Sequence, residues 1–249
     1  MNRVMNLGIE RAKPYLSLEA SARLRGEVDA FIEKKMGEWN ESVPFARHFE
    51  GNEIHRAYYR RHLIETALRI RLLRVAESKA LAEIAKTSPE AAQIWANYER
   101  EEMVHDELFI RDYLAAGGTR EELLATEPYL STKLLSGYFS YLLDHEGPLG
   151  VVAYSYLVET VNVKVDPKRV AALKQTLGEK LVKGYESHNH TDENDDHPGE
   201  VWSALRYLIR SDEDVQALYR YLEENQRILA MYFEEIHQDI VAGAARKVG

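Results

Sequence analysis

Apolar residues recur along this 249-residue chain with a period of about 3.6, and almost nowhere with the period of two that a half-buried strand requires. The helical pattern runs through residues 18–40, 52–76, 89–116, 130–144, 148–164, 167–186 and 212–242. Its interruptions fall where turn chemistry places them. Gly117-Gly118 ends one helix and Gly147-Pro148 starts another, while Ser88-Pro89 and Asp166-Pro167 each offer a cap followed by proline in the first helical turn. No internal repeat, long linker or compositional shift divides the chain. The expectation is one all-α domain of about seven helices, with residues 1–42 as an N-terminal helix and lead-in and 43–242 as the core.

Composition narrows the chemistry. With 45% hydrophobic residues the chain can bury a sizeable core. No apolar run reaches the length of a membrane span and no apolar signal-like segment follows Met1, so neither a membrane partner nor secretion is expected, and the cytoplasm is the default location. A formal charge of -9 without a basic face argues against nucleic acid as a partner. The absence of cysteine removes disulfides, thiolate nucleophiles and iron–sulfur ligation together. Any metal must be held by imidazole and carboxylate, a set that suits iron, manganese or zinc.

Several polar residues interrupt the apolar stripes. Along 89–116, Ala91, Trp95, Tyr98, Glu102, His105, Phe109 and Tyr113 share one face, so Glu102 and His105 stand side by side among aromatics. An unpaired carboxylate there costs several kcal/mol, and a bound cation would satisfy both side chains. Along 148–164, Leu149, Val152, Tyr156, Glu159 and Val163 form a second such stripe, with Glu159 the single acid. Glu65 is a third inward-facing acid, although Arg61 and Arg69 at spacing four offer it neutralisation. Each of these also has a plain structural reading, Glu159 as a buried acid bonded to a tyrosine among them.

The stretch ESHNHTDENDDHPGE, residues 186–200, holds three of the nine histidines and six carboxylates. As a helix it would stack His190, Asn194 and His197 at i, i+4 and i+7, whereas Pro198 and the density of Asp, Asn and Gly argue for an irregular segment ordered by metal. His188 is expected to be solvated.

The segment VPFARHFEGNEIHRAYYRRHLIET, residues 43–66, resembles the opening of the TenA/PqqC type of haem-oxygenase-like helical domain, with its Pro-Phe, a glycine some seven positions on and an aromatic-rich second helix. The later order, Glu102-x-x-His105, Glu159, then His190, Asn194 and His197, resembles the ligand pattern of the haem-oxygenase-like di-iron oxidases and oxygenases. The resemblance spans about residues 43–240. It implies a haem-oxygenase-like bundle with Glu102, His105, Glu159, His190, Asn194 and His197 as metal ligands, Glu102 or Glu159 bridging two ferrous ions, and dioxygen as co-substrate. Asn194 stands where the pattern usually has Asp, which leaves one or two ions open; Asp192, Asp195 and Asp196 are alternative donors.

By the same resemblance the chain is an oxygen-dependent non-haem iron enzyme acting on a small amino-acid-like or amine metabolite, by N-oxygenation or oxidative carbon–carbon cleavage. Glu102, Glu159 and Tyr156 are its candidate catalytic residues, with Tyr98 and Phe109 shaping the pocket. A homodimer and an external electron donor are expected. Arg60, Arg61, Arg69 and Arg71 offer a hold for a substrate carboxylate, although most should be solvated or salt-bridged.

Four other readings stand beside this one. A TenA-type thiamin-degrading activity needs a cysteine the chain lacks. A haem ligand among His48, His55 and His62 leaves the buried carboxylates unexplained, and a cofactorless PqqC-like oxidase or binding protein would use His105 and the tyrosine-rich stripes alone. A ferritin-like di-iron bundle would use Glu65, Glu102, His105, Glu159, Glu234 and His237, at spacings less natural for consecutive helices.

Overall fold

In the computed structural model the described residues are 13–43, 55–194 and 196–243, with side-chain detail at all of these except 40, 165, 166 and 189–194. Ten α-helices and no strand occur among them. They are α1 (Leu18–Ser42), α2 (Arg56–Thr87), α3 (Pro89–Glu102), α4 (Asp106–Ala115) and α5 (Arg120–Ala125), then α6 (Leu130–His145), α7 (Leu149–Leu177), α8 (Lys183–Asn194), α9 (His197–Leu208) and α10 (Asp212–His237). A 3₁₀ turn at Glu179–Leu181 precedes α8, and a π turn at Gln238–Ala242 continues α10.

Local chemistry sets most of the boundaries. The Ser17 hydroxyl accepts from Ala20 N at 3.1 Å, Ser88 from Ala91 N at 3.1 Å and Ser211 from Asp214 N at 3.2 Å, capping α1, α3 and α10. Pro89 occupies the first turn of α3, where a missing N–H is harmless. Gly147, with φ 95°, turns the chain out of α6 so that Pro148 opens α7.

Three boundaries differ from the periodicity. The helix expected over 52–76 runs on to Thr87 because Ala76, Ala80 and Ile84 keep one face buried. Pro167 does not open a new helix: α7 passes straight through it, forgoing one backbone bond while Val170, Leu173 and Leu177 stay buried on the far side. The helix expected over 89–116 breaks at residues 103–105, where bonds tighten to His105 N→Glu102 O at 3.1 Å and Leu108 N→His105 O at 3.1 Å.

The core has two parts. One gathers Val28, Ile32, Trp95, Phe139, Tyr156 and Trp202 from α1, α3, α6, α7 and α9. The other gathers Tyr58, Leu63, Ile110, Tyr113, Leu173 and Ile236 from α2, α4, α7 and α10. The long helices α2, α7 and α10 run past both, and a cavity of about 180 Å³ lies where they meet. Among the described residues no helix is long and apolar enough to cross a membrane.

Candidate metal centre

The break between α3 and α4 carries the first pair. His105 is 6% exposed, and its Nδ1 lies 2.8 Å from Glu102 Oε2, within ion-pair range but without hydrogen-bond geometry. Glu102 Oε1 is buried and accepts no hydrogen bond. Because the backbone tightens between them, the two side chains converge instead of simply sharing a helix face.

Two further elements deliver histidines to this pair. Asp196 adopts left-handed backbone, φ 48°, and its carboxylate accepts from Gly199 N at 3.2 Å, so the chain turns sharply and starts α9 at His197. Pro198 then occupies the first turn of α9. The described residues of segment 186–200 therefore belong to two helices and the turn at Asp196, not to the irregular stretch expected from composition; the cap makes the turn, and the apolar face Val201, Trp202, Leu205 anchors α9 beyond it. His197 is fully buried, with Nε2 3.0 Å from Glu101 Oε2 and Nδ1 3.5 Å from Glu102 Oε1 and 3.7 Å from Glu159 Oε2. With Nε2–H donated to Glu101, the Nδ1 lone pair faces the other two acids.

The other histidine is His188. Asp112, fully buried, accepts from Gly184 N at 2.6 Å and Tyr185 N at 2.8 Å, seating the first turn of α8. A Cβ at Gly184 would stand 1.8 Å from Leu108 O, so α8 lies directly against the α4 backbone. His188 consequently packs on His105, ring centroids 4.9 Å apart, and on Phe109 at 5.2 Å. The expectation that His188 is solvated is corrected: it is 8% exposed.

Glu159 comes from α7, 2% exposed, and accepts from Tyr98 OH at 2.8 Å. The result is two groups of potential ligands, Glu102–His105–His188 and Glu102–Glu159–His197, each with one atom per residue within 4.8 Å of the others. Glu102 belongs to both.

The surroundings are short of positive charge. Burial, and then the neighbouring Glu102, push the Glu99 carboxyl up to about 8, although Arg74 opposes this. Glu77 is driven well above the usual carboxylate range by burial and then by Glu99, Glu102 and Glu159. Arg74 itself is committed to an ion pair with Asp106. Crowded buried acids, with Glu102 Oε1 and Glu99 Oε1 accepting nothing, suit a divalent cation, so the residues present fit a metal ion.

The other candidates are placed as follows. Tyr156 turns away from the cluster: its hydroxyl donates to Asp29 Oδ1 at 2.5 Å and accepts from Arg25 Nε at 3.3 Å, so Tyr98 stands beside Glu159 in its stead. Glu65 is fully buried but held by Arg61 at 2.6 Å, Thr132 Oγ1 at 2.6 Å and Tyr129 N at 3.1 Å. Glu234 is exposed. Glu65, Glu234 and His237 join neither ligand group, so the ferritin-like arrangement is not formed. Asp196 is exposed and spent on its cap, which removes it as an alternative donor. His55 caps α2 through Nδ1, 3.3 Å from Tyr58 N. The side chains of His190, Asp192 and Asn194, together with Pro44, Phe45, His48, Gly51 and Asp195, lie outside the described residues.

Sequence reasoning missed Glu99, Glu101 and His188. Tyr185 and His188 at spacing three continue the buried face of α8 and are a usable signal for the histidine. The apolar stripe singles out Glu102 in the run Glu99-Arg100-Glu101-Glu102, and nothing there marks the other two acids.

The cavity beside the cluster is bounded at one end by Glu77, Glu99, Glu102 and Glu159 and elsewhere by Tyr98, Phe109, Leu157, Phe233 and three arginines. Among the four arginines singled out on α2, Arg60 donates to Ala116 O at 2.7 Å, Arg61 pairs with Glu65 and Arg71 lies 3.5 Å from Asp106. Arg69 makes no ion pair among the described residues; its guanidinium lies over the Tyr232 ring, 5.4 Å from the centroid.

No protein-family model and no curated protein sequence matches the chain. Solved structures do resemble it. A domain of unknown function with a haem-oxygenase-like fold from Shewanella denitrificans OS217 superposes with a TM-score of 0.75 at 20% identity, covering 86% of this chain and 92% of that one. A TenA homologue from Pseudomonas syringae pv. tomato DC3000 superposes with a TM-score of 0.66 at 13% identity, covering 92% and 99%. The chain thus has an all-α haem-oxygenase-like fold, as the resemblance of the opening segment and of the later residue order implied.

Proposed function

We propose that this protein is a non-haem di-iron oxidase or oxygenase that activates dioxygen to oxidise a small amino-acid-like or amine metabolite. The observation that carries the reading is Glu102, half-buried at the junction of two helices and common to both ligand groups. His105 and His188 would hold one ion, Glu159 and His197 the other, with Glu102 between them. The ligand set is imidazole and carboxylate only, which suits iron.

When bound, ferrous ions supply the electrons that dioxygen needs. The chain's own part is positioning. Glu101 holds the His197 ring through Nε2, and the Tyr98 hydroxyl holds one oxygen of Glu159, so both donors are fixed before a metal arrives. Asp112, through the first turn of α8, does the same for His188. Phe109, Leu157 and Phe233 line the adjoining cavity and keep bulk water from the reacting atoms.

A cofactorless oxidase of the same fold would need no inner ring of carboxylates. The test is oxygen consumption by the chain after anaerobic loading with ferrous ion. Wild type consumes oxygen in proportion to bound iron, and Glu102→Gln, which keeps the shape but removes the shared charge, does not. Equal consumption by the two would overturn the reading.

A further inference from the structure

The cavity has a second polar end that the metal reading leaves without a role. Arg69 on α2 and Arg169 on α7 both line it, and both stand close enough to His62 to help burial hold that imidazole well below its ordinary pKa. His62 Nδ1 is 2.6 Å from Tyr232 OH, and Arg169 donates to Tyr185 OH at 2.9 Å. This corner is therefore built from two guanidiniums, two phenols and one imidazole. Arg69, largely buried, has only the Tyr232 face beneath it among the described residues. Its nearest acid influence, Glu65, is already held by Arg61, Thr132 and Tyr129. In a chain of net charge -9, a largely buried guanidinium without an acid partner is a site awaiting an anion.

Position defines which anion. Arg69 and Glu77 are eight residues apart on α2, about 12 Å along the helix axis, and Glu77 belongs to the acidic end. Apolar side chains make up much of the remaining wall, Ile70, Leu73, Leu157, Val161 and Leu229 among them. About 180 Å³ exceeds a cavity of roughly 150 Å³ that admits benzene. We propose that Arg69, with Arg169, binds the carboxylate of a small acid with an apolar or aromatic body, and so points the far end of that molecule at the Glu102 cluster. This deepens the reading above by naming its substrate class, but the anion recognition itself needs no metal.

The experiment is calorimetric binding to the metal-free full chain, using phenylacetate and octanoate against their neutral amides, phenylacetamide and octanamide. The expected result is a preference for the acids of about tenfold or more, lost in Arg69→Gln. Equal affinity for acid and amide in the wild-type chain, binding of neither, or a preference that survives in Arg69→Gln overturns the proposal. The wild-type comparison decides even where a variant fails to fold. Ferrous uptake that fails while the acid preference holds sinks the metal reading and leaves the carboxylate site standing.

Discussion

Around Glu102 the chain places four other titratable side chains within ligand distance and a ring of acids just behind them, and the burial of each has a local cause. The most informative of these neighbours is Glu101, which is part-exposed and joins neither ligand group. Its bond to His197 Nε2 lowers its own pKa and fixes which imidazole nitrogen faces inward. Glu101→Gln can still accept a hydrogen bond from Nε2–H but no longer lends the ring its charge, so ferrous affinity should fall by about 10- to 100-fold with the fold unchanged. Anaerobic titration with circular dichroism on the same samples checks this, and unchanged affinity would leave Glu101 a bystander. At this scale the sequence was readable where a polar residue interrupted a stripe, as at Glu102, His105 and Glu159. It was unreadable where a role depends on a partner from another helix. Tyr156 lay on the same stripe as Glu159, yet its hydroxyl goes to Asp29 on α1, which no periodicity could reveal.

Helices place these residues through their ends more than through their faces. The break after Glu102, the left-handed Asp196 and the Asp112-seated start of α8 each deliver a histidine. Ser88-Pro89 and Gly147-Pro148 were legible because their signals are local. The break at 103–105 was not, since it runs against a helical pattern, and at Asp196 the composition pointed to irregular chain where α8 and α9 form on either side of a turn. The contact of Gly184 with the α4 backbone gives the sharpest test. In an ordinary helix interior Gly→Ala is stabilising, but Gly184→Ala must push α8 away from Leu108 O, so a loss of about 1–3 kcal/mol is expected, or roughly 2–4 °C in Tm for each kcal/mol. Because α8 carries His188, ferrous affinity should fall with it. An alanine variant as stable as wild type would contradict the close approach.

For the whole molecule, the all-α architecture followed from the helical period, and the haem-oxygenase-like fold from the resemblance of residues 43–66 and of the later Glu and His order. Two halves of the core leave a cavity between them with acids at one end and Arg69 at the other. That asymmetry was not legible, because Arg69 looks like its neighbours Arg60, Arg61 and Arg71 until their partners are seen. The central claim is that the acidic end holds two ions sharing Glu102. It is tested most directly by counting iron per chain in an anaerobic ferrous titration of the metal-free protein. Two irons per chain, falling in Glu102→Gln, is the predicted result; a wild-type chain that takes up none would contradict it.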